Sequence, residues 1–257
     1  MMIATGEPQP AAAVLLLTAT VKPGGTPSVG RADAATRLND YREAFSKWLA
    51  DESVESIVFC ENSGYDVSTL AELVGRRDQR KRGVEFLSFD LREVNRGRGK
   101  GWGELRILNH IVDHSQLLAS GRHFLKVTGR YYVRNAGKLL NYMGRREDVE
   151  IWCDLRRGMR FCDSRVFGGR VSFLARYICP RLDEVDEGNG VWLEHVLARA
   201  VLRAMSDGLT FSPLPYAPEI QGVSGTTNTR YRRSLGDRVL GRVRTAVKWY
   251  TWMGRLP

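Results

Sequence analysis

The sequence predicts an α/β fold: a single Rossmann-like domain on a mostly parallel central sheet, followed by a C-terminal amphipathic helix. Three observations predict it. Short continuous apolar runs alternate with stretches of helical spacing through the first half of the chain, the pattern of buried parallel strands joined by crossover helices. Each run ends on its C-terminal side in polar or glycine-rich residues, where such sheets hold their ligands. The chain closes on an apolar stripe at helical spacing, flanked by cations.

Residues 1–10 read as a flexible N-terminus. AAAVLLLTAT (11–20), with Val14–Leu17 at its centre, is the first buried strand, and KPGGTP is the loop after it. From Ala34 to Ala50 the residues Leu38, Tyr41, Phe45, Trp48 and Leu49 share one helical face. SIVFC (56–60) is a second strand ending in ENSGYD, and a second helical stretch runs through Leu70–Val74. GRRDQRKRG (75–83) reads as an exposed basic turn, and VEFLSF (84–89) as a third strand. RGRGKGWGE (96–104) leads into a helix predicted over 105–118, and FLKVTGRYYVRN (124–135) is a strand with a polar tip. Glu150–Cys153 and Ser164–Phe167 fit strands at the far side of the sheet, and Trp192–Met205 fits a helix. FSPLPYAPEIQGVSG (211–225) is a Pro/Gly-rich loop. The economical division is one unit over 11–227, with halves 11–135 and 136–227, and a basic tail over 228–257.

At 257 residues the chain is long enough for one large α/β domain. Its net charge of +10 suggests nucleic acid until it is located: residues 228–257 hold eight Lys/Arg and one Asp, leaving only +3 for the rest. The body shows no aromatic–basic interleaving and no DNA- or RNA-binding motif, which argues against nucleic acid as a partner. Cys60, Cys153, Cys162 and Cys179 form no CxxC pair and read as reduced thiols of a cytoplasmic protein. His110 and His114 share a helical face but have no third ligand nearby in sequence, so no metal is assigned to them. No run approaches the ~20 apolar residues of a membrane span. The start MMIATGEPQP carries an acid and two prolines where a signal peptide needs cations.

The chemistry-bearing residues collect at predicted strand ends. Thr18 and Thr20 close the first strand and can hydrogen-bond a base or ribose. Glu61 and Asn62 offer polar groups at the end of the second. In the Gly-rich segment, Lys100 with the N–H groups of Gly99 and Gly101 can neutralise a diphosphate at a helix start. Glu104 reads as a first-turn anion favoured by the helix dipole. The segment is neither a Walker A loop nor a Rossmann fingerprint. Lys126, Thr128, Gly129 and Arg130 form the polar tip of the following strand. A Gly/Lys loop at a helix start followed by a strand with a polar tip, all downstream of an N-terminal strand, points to a nucleotide-sugar site.

The layout resembles bacterial glycosyltransferases of the glycosyltransferase-A fold that build surface polysaccharides. RGKGWGE, the helix after it and HFLKVTGRYYVRN stand in that family's order, covering residues 12–135 well and 136–227 loosely. The resemblance implies a nucleotide-sugar donor and a glycan or lipid-linked acceptor. It also implies an Asp-x-Asp metal motif, but this chain reads Thr128-Gly129-Arg130 there. Two carboxylates would hold a divalent cation; an arginine instead offsets phosphate charge through bidentate hydrogen bonds. The expectation is therefore a metal-independent transferase with no cofactor. In the family a carboxylate at a helix start deprotonates the acceptor, and GNGVWLEHVL (188–197) supplies Glu194 for that role.

Asp163 is the competing base. It belongs to CDLRRGMRFCDSRVFGG (153–169), where Asp154/Arg156 and Asp163/Arg165 also read as local ion pairs. EIQGVSGTTN (219–228) is a loop able to close over the donor, with glycines for close approach and Ser224, Thr226 and Thr227 for hydroxyls. In the tail, Leu235, Val239, Val243, Val247 and Tyr250 follow helical spacing, beside Trp249, Trp252 and Met253. Such a stripe with Arg238, Arg242, Arg244 and Lys248 alongside fits a helix lying on a membrane surface or packing back on the domain. Two other functions stay open: a nucleic-acid-binding protein using the tail, and a non-catalytic nucleotide-binding scaffold.

Overall fold

Seven apolar segments and one short N-terminal segment hydrogen-bond into a single eight-stranded sheet. The computed structural model describes residues 2–3, 13–24, 30–77, 82–91, 96–225, 227–231 and 235–253. The first half contains β1 (Met2–Ile3), β2 (Ala13–Ala19), α1 (Ala34–Ala50), β3 (Ser56–Glu61), α2 (Ser68–Arg77), β4 (Gly83–Ser88), α3 (Lys100–His114), α4 (Gln116–Ser120) and β5 (His123–Thr128). The second half contains β6 (Tyr132–Val133), α5 (Ala136–Gly144), β7 (Ile151–Cys153), β8 (Leu155–Arg156), β9 (Phe161–Cys162) and β10 (Val166–Arg170). It continues through α6 (Val171–Phe173), irregular helical turns to Asn189, α7 (Leu193–Ser206), β11 (Phe211–Pro213), β12 (Ile220–Val223), β13 (Arg230–Tyr231) and α8 (Leu235–Met253).

The strand order is β1-β4-β3-β2-β5-β10-β7-β11. β4, β3, β2 and β5 run parallel, β10 is antiparallel to β5 and to β7, and β11 is parallel to β7. From β2 the chain steps outward through β3 and β4, then crosses to β5 on the other side of β2. The order therefore reverses between β2 and β5, and Thr18 pairs with Thr128 at that point. A crevice outside the carboxyl ends of the strands is expected at such a reversal.

Alternation along β2 explains the two-sided core. Val14 and Leu16 face the side covered by α3, α4 and α7, whereas Leu15, Leu17 and Ala19 face α1, α2 and α5. Val14 to Leu17 are all fully buried, each worth about 1.5–3 kcal/mol on folding. On α1, Tyr41, Phe45, Trp48 and Leu49 are buried as their spacing predicts, and Asp33 caps the helix by accepting from Thr36 N at 2.7 Å.

The structure departs from the sequence expectations in four places. Residues 4–10 lie outside the described residues, but Met2–Ile3 pairs antiparallel with the edge of β4. Residues 78–81 of the basic turn are also outside them, while Arg82 is buried rather than exposed. Its guanidinium donates to the carbonyls of Trp48, Leu49, Asp51 and Val54 at 2.9–3.2 Å, closing the C-terminus of α1. The helix expected over 105–118 starts earlier, at Lys100, and breaks at Ser115. Buried Glu85 accepts from Ser115 Oγ, Gln116 N and Leu117 N there, satisfying the first amides of α4.

The fourth departure is the Pro/Gly-rich segment 211–225, which holds β11 and β12 instead of a continuous loop; the tail takes one of the two placements left open to it. One side of α8 packs back on the body: Trp249 is fully buried and donates to Leu214 O at 3.1 Å, and Trp252 lies edge-on to Phe211. Lys248 pairs with Asp154. The tryptophans are thus not free to sit in a membrane interface. On the outward side Leu240, Val243, Val247 and Tyr250 are 47–69 % exposed. No helix among the described residues is long and apolar enough to cross a membrane.

Candidate functional site at the strand reversal

Thr18, Lys126 and Thr128 converge on the carboxylate of Glu104. The first turns of α3 aim Glu104 at the gap between β2 and β5, where its Oε1 accepts from Thr18 Oγ1 at 3.1 Å and from Thr128 Oγ1 at 3.4 Å. The ammonium of Lys126, wholly buried on β5, pairs with the same oxygen and also donates to Ser164 O at 2.6 Å and to Thr128 Oγ1 at 3.3 Å. Burial alone would raise the Glu104 carboxyl, but Lys126, the Thr18 hydroxyl and the nearby Arg130 outweigh it and hold it below the ordinary glutamate range. The side chain of Glu104 keeps 20 % exposure, so an ionised carboxylate opens on the crevice. Lys126 belongs to the polar tip read as part of the donor site. Its three protons are spent inside the protein, so it acts through Glu104.

The turn after β5 brings Arg130 to the same place. Gly129 N donates to Thr18 O at 2.8 Å, and Trp48 Nε1 donates to Tyr131 O at 2.9 Å, pinning the turn against β2 and α1. Arg130 Nε is buried with no hydrogen-bond partner among the described residues. Burial works against its charge, but the Tyr41 and Tyr131 phenols and Glu104 more than compensate and raise its pKa. The segment around β12 and β13 folds over it: a Cβ at Gly225 would lie 2.5 Å from Arg130 Nη2, so any larger residue there would have to push the guanidinium aside. The loop expected to close over a donor is therefore folded over Arg130, with Thr226 outside the described residues. Between α1 and β12–β13 a cavity of about 470 Å³ reaches Arg130 and Tyr231.

Thr20, Glu61 and Asn62 form an adjoining brace rather than open ligand groups. Thr20 Oγ1 donates to Asn62 Oδ1 at 2.7 Å, and Asn62 Nδ2 donates to Gly103 O at 3.1 Å. Fully buried Glu61 accepts from the amides of Val21, Ser63 and Tyr65 at 2.9–3.0 Å. This layer fixes the loops after β2 and β3 and anchors the start of α3. The nucleotide contacts expected of these three give way to that bracing role because their polar atoms are already paired.

The start of α3 holds an anion, and the anion is the protein's own. Glu187 Oε1 accepts from Gly101 N at 2.7 Å. Gly99, at φ +90°, bends the chain tightly around that carboxylate. Burial pushes the Glu187 carboxyl up, while the Gly101 amide and Lys100 pull it down, and burial prevails. The ammonium of Lys100 lies 5.8 Å from the centre of the Trp192 ring. A helix N-terminus suits a diphosphate or a carboxylate equally, and sequence spacing gave no signal for Glu187.

Next to the Glu104 cluster stand residues 163–165, just before β10, and the start of α7. Ser164 Oγ donates to Glu194 Oε1 at 2.8 Å, and among the described residues it alone hydrogen-bonds that carboxylate. Asp163 differs. Both its oxygens are held by Arg165, at 2.5 and 2.8 Å, and Arg156 adds a contact at 2.9 Å. Burial would raise its carboxyl, but the two guanidiniums hold it below the ordinary aspartate range. A carboxylate so stabilised is a poor proton acceptor, which corrects its reading as a competing base and supports its reading as an ion pair. His195 accepts from Trp192 N through Nδ1 at 3.3 Å and closes the start of α7.

A divalent cation of the kind the resemblance implies would meet a poor set of ligands at the strand tip. Thr128-Gly129-Arg130 puts a guanidinium where two carboxylates would stand, and the nearby Glu104 is already held by Lys126. Among the described residues no group of three or more His, Cys, Asp or Glu side chains is placed to hold a metal. The thiols of Cys153 and Cys162, near Glu194, are buried and unbridged, and mutual hydrogen bonding and burial push Cys162 up.

No protein-family model matches the chain, and no curated protein does. Solved structures with a related arrangement include a putative glucose-1-phosphate thymidylyltransferase from Bacillus anthracis, at 10% identity and TM-score 0.45, covering 84% of this chain and 90% of that one. An active-site mutant of LgtC aligns at 11% identity and TM-score 0.48, covering 73% and 69%. A cytidylyltransferase from Leptospira borgpetersenii aligns at 11% identity and TM-score 0.44, covering 79% and 76%. The likeness at these values extends to the α/β arrangement alone. The chain is an α/β protein with a mostly parallel central sheet, and its function is argued from the site.

Proposed function

We propose that this chain is a glycosyltransferase that moves a sugar from a nucleotide-sugar donor to a hydroxyl of a glycan or lipid-linked acceptor in bacterial surface polysaccharide synthesis. The observation that carries the reading is the constellation at the strand reversal. Glu104 is held ionised by Lys126, Thr18 and Thr128, Arg130 lies beside it, and Glu194 faces the same edge with a single hydroxyl bonded to it.

In this mechanism the donor lies between the two groups of residues. The free oxygen of Glu104 accepts a hydrogen bond from a donor hydroxyl. Arg130 and Lys100 face the phosphate, so the negative charge that grows on the leaving oxygen meets fixed cations. No step uses a divalent metal. Glu194 takes the proton of the acceptor hydroxyl as that oxygen attacks the anomeric carbon, and the bond from that carbon to the phosphate oxygen breaks. Binding requires the segment around β12 and β13 to lift from Arg130, and donor phosphate at the start of α3 would displace Glu187. The outward stripe of α8 faces the inner membrane surface, which makes the enzyme cytoplasmic and peripheral.

The test is transfer by Glu194→Gln, which removes the base and keeps an oxygen for Ser164. Turnover is expected to fall about 100-fold or more with donor affinity retained. Near-normal turnover would remove Glu194 from the mechanism.

A further inference from the structure

A second cavity, of about 510 Å³, lies between the β8–β9 hairpin and the outer face of α7. Arg157, Met159 and Arg160 line it from the hairpin, and His195, Arg199 and Leu202 line it from the helix. The helical residues lie at 195, 199 and 202, one face of α7. Three arginines and a histidine line it and no carboxylate does.

Its charge is poorly compensated. Neither Arg157 nor Arg160 has a carboxylate within ion-pair distance among the described residues; the Arg157 guanidinium lies 4.8 Å from the centre of the Phe161 ring. Arg199 reaches only Glu184, at 3.4 Å, and Glu184 is held more closely by Arg181 at 2.5 Å. Apolar surface stands beside the cations: Met159 is 40 % exposed and Leu202 38 %. The hairpin tip keeps this arrangement against backbone preference, since Arg157, Gly158 and Met159 have φ of +53°, +62° and +63°. Two of these three are not glycine, and left-handed backbone is disfavoured for such side chains.

We infer that this cavity is the subsite for a phosphate group carried by the acceptor, next to an apolar chain: the guanidiniums take the phosphate, and Met159 and Leu202 take the first part of the chain. Arginine forks match phosphate oxygens. The inference rests on the glycosyltransferase reading, and it narrows the acceptor to a phosphate-bearing amphiphile whose hydroxyl approaches Glu194. His195 lines the cavity from the first turn of α7, the turn that also carries Glu194.

The test is titration of the full chain with decyl phosphate, inorganic phosphate and uncharged decyl glucoside, below the micellar concentrations of the two amphiphiles. Arg157→Asn/Arg160→Ala is compared with the parent; Asn tolerates the left-handed backbone. Decyl phosphate is expected to bind about ten-fold more tightly than either control, and the double variant to lose about ten-fold. Should the double variant fail to fold, Arg199→Gln serves in its place, with an expected loss of about three-fold. Equal binding of inorganic phosphate would overturn the apolar part, and equal binding of decyl glucoside the phosphate part. Unchanged affinity in the variants would move the ligand elsewhere. Nucleotide-induced stabilisation, measured in parallel, separates the two readings. If no nucleotide stabilises the chain but decyl phosphate binding still depends on the arginines, the transferase reading fails and the cavity stands.

Discussion

Glu104 and Glu194 are linked through Lys126 and Ser164 and are built in opposite ways. Glu104 shares one oxygen with a buried ammonium and two threonine hydroxyls, and its charge is fixed. Glu194 has a single serine hydroxyl on one oxygen. A carboxylate under cations holds its charge and orients a ligand; one with few donors can accept a proton. Asp163, immediately before Ser164, belongs with Glu104 by this criterion, because Arg165 and Arg156 lock it. The number of donors around each carboxylate, and not its position at a strand end, is what separates the three on this edge.

The largest expected effect comes from stranding the locked carboxylate. Lys126→Met leaves Glu104 partly buried without its cation and should cost about 3–5 kcal/mol of stability. Chemical denaturation measures this. Lys126→Met with Glu104→Leu should recover most of the loss, because it removes both charges. If the single variant costs less than about 1 kcal/mol, the contrast between the two carboxylates collapses.

Next is the base. Glu194→Gln keeps an acceptor for Ser164 and should leave the melting temperature within a few degrees, while transfer is lost. Asp163→Asn should do the reverse, lowering stability while an enzyme that still folds keeps turning over. A turnover loss in Asp163→Asn as deep as that of Glu194→Gln would break the assignment.

Acid stability gives a third, smaller test. The folded-state pKa values of Asp163 and Glu104 are depressed below the ordinary 3.8 and 4.5. Their contribution is therefore fully present above those values and is lost as pH falls through the depressed ones. The denaturation midpoint should hold down to about pH 5 and drop below about pH 4. Asp163→Asn should flatten that drop, and an unchanged acid limb would remove Asp163 from the account. Smaller still, Glu187→Gln keeps an acceptor for Gly101 N but removes the charge. Diphosphate nucleotides should then bind about two- to five-fold more tightly, read by calorimetry; weaker binding would make Glu187 a ligand group instead of a placeholder.

Much of the sheet was legible because its signal is local. The apolar runs of β2, β3 and β5 and the stripe of α1 each lie within one element, and their strand ends do meet at one edge. The pairings that define the site are not local. Glu104 and Lys126 are 22 residues apart, and Gly101 meets Glu187 across 86. No periodicity encodes either, since both arise from the order in which strands fill the sheet. The same holds for Arg82, whose basic neighbourhood suggested solvent although it closes α1, and for Trp249, whose partner Leu214 lies 35 residues earlier. The Gly-rich segment reads as a helix start able to hold a diphosphate; the carboxylate of Glu187 found on Gly101 N could be assigned to it only through the fold.

The most direct measurement is thermal unfolding against CMP, UDP, GDP and dTDP, each with Mg²⁺ and with excess chelator. A nucleotide at about 100 times its dissociation constant adds about 2.7 kcal/mol, which raises the midpoint by roughly 5–10 °C in a chain of this size. The account predicts that one of the four gives this shift in chelator and that Arg130→Ala abolishes it. A shift that appears only with Mg²⁺, or none with any nucleotide, would contradict it.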